Sequence, residues 1–101
     1  YEYSEVIEVH SLLNLSFELQ QNYPNPLNPI TKIAYTLPYQ NHVTLTVFNS
    51  IGEIIELLVN EVQSEGKYEA VWNAESYPSG VYFYKLEAGD FVEVNKMMLM
   101  K

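Results

Sequence analysis

The run Gln21-Asn22-Tyr23-Pro24-Asn25-Pro26-Leu27-Asn28-Pro29-Ile30-Thr31 constrains this chain more than any other stretch. Pro24, Pro26 and Pro29 each hold φ near about −65° and remove a backbone donor, so neither a helix nor a central strand can pass through. The asparagines between them tolerate turn geometry and bond back to their own backbone. The expectation is a rigid, shaped entrance to a domain rather than a loose linker.

Beyond it the apolar residues recur with period two, as in half-buried strands. Ile33, Tyr35 and Leu37 share one phase; Val43, Leu45 and Val47 share another, opposed by Thr44 and Thr46, which suit a wetted strand face. Tyr68, Ala70 and Trp72 alternate again, as do Tyr82, Tyr84 and Leu86, and a last strand is expected over 91–100. Ser50-Ile51-Gly52, Pro78-Ser79-Gly80 and Gly89-Asp90 punctuate these segments as turns. Ile54 to Val59 fits strand or helix by periodicity, and its neighbours favour strand. The pattern predicts an all-β fold, an immunoglobulin-like antiparallel β-sandwich of about seven strands, with Trp72 as a plug between the sheets.

A chain of 101 residues, 48% of them apolar, is long enough for one domain with a modest core. It has no cysteine, so packing alone must hold the fold. Net charge is −8, with five lysines and no arginine, which leaves no footprint for nucleic acid or anionic lipid. No apolar run approaches the roughly 20 residues of a membrane-spanning helix. Tyr1-Glu2-Tyr3-Ser4-Glu5 is unlike a signal peptide, so export would make this chain the C-terminal piece of something longer. Tyr3 to Val9 alternates like a strand. Residues 1–16 therefore read as a linker or the last strand of a preceding domain, weakly similar to a fibronectin type III module, or else as a strand paired within this domain, which spans 17–101.

No catalytic set emerges. His10 and His42 lie in connectors, and there is neither a G-x-S-x-G elbow nor a thiol. Two isolated histidines do not make a zinc site, and one aspartate, Asp90, is poor provision for calcium. Glutamates such as Glu69 and Glu93 fall on the polar phase of strands, where solvation explains them. The chain is expected not to be an enzyme and to need no cofactor or metal. Tyr23, Tyr39 and Tyr77 sit in turns, either as a glycan platform or leaning on the sandwich with hydroxyls wet.

Phe17-Glu18-Leu19, the Pro/Asn run, Asn28-Pro29-Ile30-Thr31-Lys32-Ile33-Ala34-Tyr35-Thr36-Leu37-Pro38, Gly66-Lys67-Tyr68-Glu69-Ala70-Val71-Trp72, Ser79-Gly80-Val81-Tyr82-Phe83-Tyr84 and the terminal Lys96-Met97-Met98-Leu99-Met100-Lys101 follow in a distinctive order. Over 17–101 that ordered set resembles the type A C-terminal sorting domains of proteins exported by the type IX secretion system of Bacteroidota-like bacteria. Leu27 stands where the family usually carries Phe. The resemblance implies a non-catalytic export address fused behind a cargo domain, in the periplasm in transit and then secreted or at the cell surface. It implies as partners the outer-membrane translocon and a sortase-like protease, with no nucleic acid and no stable membrane insertion. Removal after transit is common in the family; here the segment just before Phe17 is its natural place.

Two stretches are candidate recognition elements: Lys96, Met97, Met98, Leu99, Met100 and Lys101, and Asn22, Tyr23, Pro24, Asn25 and Pro26. A terminal strand often leaves an open edge, and methionines adapt to varied surfaces. The competing reading is that Met97 and Leu99 fill the core and that the Pro/Asn run fixes strand register. A different class of function, an accessory sandwich of a secreted enzyme that binds glycan or spaces domains, fits the same fold, and a weaker similarity runs to the immunoglobulin-like scaffold of flagellar hook-cap proteins.

Overall fold

In the computed structural model, which describes residues 15–101, seven strands form two antiparallel sheets. The expected strand at Tyr3 to Val9 lies outside the described residues. The strands are β1 (Glu18–Leu19), β2 (Ile30–Leu37), β3 (Asn41–Phe48), β4 (Ile54–Gln63), β5 (Gly66–Asn73), β6 (Gly80–Ala88) and β7 (Phe91–Leu99). One sheet has the order β1-β2-β5 and the other β4-β3-β6-β7.

Alternation places the core as expected. Ile33, Tyr35 and Leu37 from β2 face Val43, Leu45 and Val47 from β3 and Tyr82, Tyr84 and Leu86 from β6, all buried. Trp72 is 1% exposed, between Tyr77 and Tyr82 with ring centroids 5.7 and 5.4 Å away. Its indole N–H has no acceptor. That costs about 1–3 kcal/mol, less than the roughly 4–6 kcal/mol from burying some 150–250 Å² of ring.

The simple alternation fails in β2, where Thr36 is buried between Tyr35 and Leu37, and again in β3 and β4. Thr46 is buried rather than wetted: on the outer face of its sheet it is flanked in register by Leu57 of β4 and Lys85 of β6. In β4 the pairing with β3 slips between Leu45 and Thr46 and again between Val47 and Phe48, leaving Leu58 and Ile55 as extra residues. Both are partly buried against the core. A bulge adds one residue to one strand, so each resets the inward phase. β4 is strand throughout, without a clean period of two.

Tight turns set the remaining registers. Gly89-Asp90 closes the β6–β7 hairpin with φ +61° at Gly89 alone, the pattern of a type II′ turn. A Cβ there would lie 2.7 Å from Asn41 Nδ2 on a backbone of positive φ, so a larger residue would be strained and would have to displace the Asn41 side chain. Ser64-Glu65 carries the chain from one sheet to the other. The Tyr68 hydroxyl donates to Ser64 O at 2.7 Å, and the Tyr35 hydroxyl donates to Gln63 Oε1 at 2.6 Å.

Burial pushes the Tyr35 phenol up to about 12. It raises those of Tyr77, Tyr82 and Tyr84 as well. The folded state therefore holds these protons more tightly than the unfolded chain, whose tyrosines titrate near 10. Stability is expected to be unaffected by these phenols below pH 10 and to fall as pH climbs from 10 through 12, by about 2–3 kcal/mol from Tyr35 alone. Urea denaturation between pH 8 and 12 measures this. Tyr35→Phe should reduce the alkaline loss by that amount, and an unchanged loss would refute the assignment.

Candidate functional site: the entrance run against the terminal strand

The entrance run closes one side of the sandwich and touches both sheets. It first tracks β2, with Gln20 N donating to Ala34 O and Tyr23 and Lys32 exchanging both backbone bonds at 2.9 Å. After the bend at Pro24–Pro26 it meets β7. Leu27 N donates to Met98 O (2.9 Å) and Met100 N donates to Leu27 O (3.0 Å), a parallel bridge at Leu27 and Leu99. The Leu27 side chain is fully buried, an apolar plug in an otherwise polar segment.

Side chains lock this path. Asn22, itself buried, donates from Nδ2 to Pro24 O (3.1 Å) and Thr31 Oγ1 (3.0 Å), while Thr31 Oγ1 donates to Pro24 O (3.0 Å). The Asn22 N–H donates to the Tyr84 hydroxyl (2.8 Å), which in turn donates to Gln20 O (2.6 Å). Where the run's backbone groups lack a strand partner, side chains supply one: Asn22 and Thr31 for Pro24 O, and the Tyr84 hydroxyl for Asn22 N and Gln20 O.

The same run serves the outer edge of β7. Gln21 Nε2 donates to Lys96 O at 2.7 Å, and Met98 N donates to Asn25 Oδ1 at 3.0 Å. The expectation of an open edge at the tail is corrected here: from Lys96 to Met100 the entrance run occupies it. Lys101 is held by its N–H to Ser79 Oγ and by Nζ to Glu75 O at 2.6 Å.

The structure thus brings the two candidate stretches together and sorts their members by exposure. Met97 and Leu99 are buried core residues, and Asn22 is buried in the network just described. Tyr23, Pro24, Asn25 and Pro26 are exposed from the run, Tyr23 at 80%; Lys96, Met98, Met100 and Lys101 are exposed from the tail. Gln21, Leu27, Thr31 and Tyr84 complete the site but were not singled out by the sequence. Leu27 had a signal, a lone large apolar residue among prolines and asparagines.

The turn tyrosines do not converge. Tyr39 packs edge-on against Phe17, which stacks on Phe91 at the β7 start. Tyr77 leans on Trp72 and Tyr82 and donates to Ile55 O at 3.0 Å. His42 lies exposed with Nε2 2.7 Å from Asn60 Oδ1. Among the described residues no group of three or more His, Cys, Asp or Glu gathers as a metal site would require, and no helix is long and apolar enough to cross a membrane.

The secretion system C-terminal sorting domain model matches residues 21–100, and the chain belongs to that family. Its role is that of a non-catalytic sorting domain for a cargo protein of the type IX secretion system. No curated protein and no solved structure matches the chain.

Proposed function

We propose that the exposed members of the entrance run and the tail act as one recognition surface, read by the outer-membrane translocon of the type IX system. In this reading Tyr23, Pro24, Asn25 and Pro26 form one side and Lys96, Met98, Met100 and Lys101 the other. The observation that carries it is the pairing of Gln21, Asn25 and Leu27 with Lys96, Met98 and Met100, which fixes the two stretches relative to each other. A surface fixed in advance loses little entropy on binding. The exposed methionines offer apolar area that adapts to a partner.

The cargo is fused N-terminally, and the domain passes through the periplasm before secretion or display at the cell surface. A sortase-like protease cuts ahead of Phe17. The two-sheet topology supports an immunoglobulin-like sandwich as its fold class.

The test is export of a fluorescent protein fused to the full chain in a host with a working type IX system. Replacing Met98 and Met100 by serine and Tyr23 by alanine should cut export about tenfold or more, the effect of roughly 1.4 kcal/mol of lost binding. Because these side chains are exposed, the thermal midpoint should move by only about 5 °C or less. Normal export of the triple variant would sink this reading.

A further inference from the structure

We infer that the first half of the β7 edge, at Val92 and Val94, is a second interaction site, taking an extended segment of a partner protein with an apolar–basic–apolar pattern. It adjoins the tail surface at Lys96 but does not depend on that reading.

Met98 turns both its N–H and its carbonyl away from β6, to Asn25 and Leu27. β6 and β7 pair without a register shift from Ala88 and Phe91 to Gly80 and Leu99. The outward backbone groups of an antiparallel edge recur every second residue, so those of Val94 and Val92 point the same way. Among the described residues nothing bonds to them. The entrance run supplies partners only from Lys96 onward.

Among the described strands the other edges are shorter, broken or charged: β1 has two residues, β4 carries two bulges, and β5 sets Lys67 and Glu69 beside its exposed Val71. The open part of β7 has no bulge and no proline, and it shows two valines that are 55% and 52% exposed. This is the composition of an edge that accepts a strand.

The charges choose the occupant. Glu93 lies between the valines, Asp90 precedes them, and Glu87 sits across from Val92 on β6. Lys85, across from Val94, is engaged by Glu87 at 3.8 Å and by the Phe48 ring, 5.5 Å to its centroid. A second copy pairing here in the register that places Val92 against Val94 would set Glu93 against Glu93. Like charges directly opposite destabilise a strand pair, and each copy already carries −8. A partner strand with a lysine or arginine opposite Glu93, flanked by apolar residues opposite Val92 and Val94, satisfies both the charge and the valines.

The probe is an acetylated, amidated peptide Thr-Thr-Val-Lys-Val-Thr-Thr, titrated into the full chain and followed by amide NMR. Saturable shifts centred on the Val92 and Val94 amides, with slowed exchange of both, are the expected result. Replacing the peptide lysine by glutamate, or Glu93→Lys in the protein, should weaken binding about tenfold, and combining the two changes should restore it. N-methylation of the two peptide valines should abolish binding without touching the protein. Val94→Pro should abolish it too, at a position whose N–H faces outward and serves no β6 bond. Four outcomes would each overturn the inference: no shift at millimolar peptide, equal binding of the lysine and glutamate peptides, shifts centred elsewhere, or Val92 and Val94 amides already protected without peptide. The last would mean that the edge is occupied by the chain itself or by a second copy.

Discussion

Deleting residues 97–101 is expected to unfold the domain, not merely to blunt its tail. Met97 and Leu99 are 1% and 0% exposed and sit in the shared core with Leu27, Trp72 and Tyr82. Loss of a buried Leu or Met side chain costs about 2–5 kcal/mol. The deletion removes two of them, along with the Met98 and Met100 bonds to the entrance run. A domain of this size has a total stability of about 5–10 kcal/mol, so little or none is left. Near-UV circular dichroism and a urea titration should show no cooperative transition for the deletion, whereas removal of Lys101 alone should leave the midpoint nearly unchanged. A cooperative urea transition with a midpoint close to that of the intact chain would show that β7 is not integral to the core.

This matters for how export experiments are read. Loss of export on truncating the tail is expected whether or not the tail is recognised, because the core collapses in either case. Only changes confined to the outward phase of β7 separate recognition from packing: Lys96, Met98 and Met100 can be varied while Met97 and Leu99 stay in place. The alternation of β7 makes that separation possible, since adjacent residues point to opposite faces.

How far the sequence carries this picture depends on which physical signal each part leaves behind. β2, β3, β5, β6 and β7 are legible because apolar residues that reach the core recur in them with period two, and the turns at Gly52 and Gly89 because glycine suits the positive φ found there. β4 is ambiguous as a sequence because its two bulges break the period that would identify it. Thr46 is misread because alternation reports the inner face and is blind to neighbours that cover the outer one. The Pro/Asn run announces rigidity but not its partners: nothing local links Asn22 to Tyr84 or Asn25 to Met98, 62 and 73 residues away. Those contacts follow from topology, which sets β7 beside the entrance only once both sheets have formed.

Leu27→Ala is the sharpest test of that closure. The side chain is wholly buried although it belongs to a loop, and its backbone bridges Leu99 at the end of β7. Its loss should cost about 2–5 kcal/mol, the range for emptying a leucine site that cannot fully collapse. Collapse is hindered here, because the prolines on either side hold the backbone that would have to move inward. The damage should also be local. Amides of Leu27 and Met100, whose bonds run between the loop and β7, should lose protection from hydrogen exchange by more than those of Val43 to Val47 in the central β3. Asn25→Ala gives the matching control: it removes the acceptor for Met98 N at an exposed position and should cost only about 0.5–1.5 kcal/mol. If Leu27→Ala were as mild as Asn25→Ala, the run would be a docked ornament and its position against the tail incidental. A large, loop-centred loss would establish the opposite: one leucine anchors the Pro/Asn run, and through it the arrangement in which Tyr23 to Pro26 and Met98 to Lys101 are displayed together.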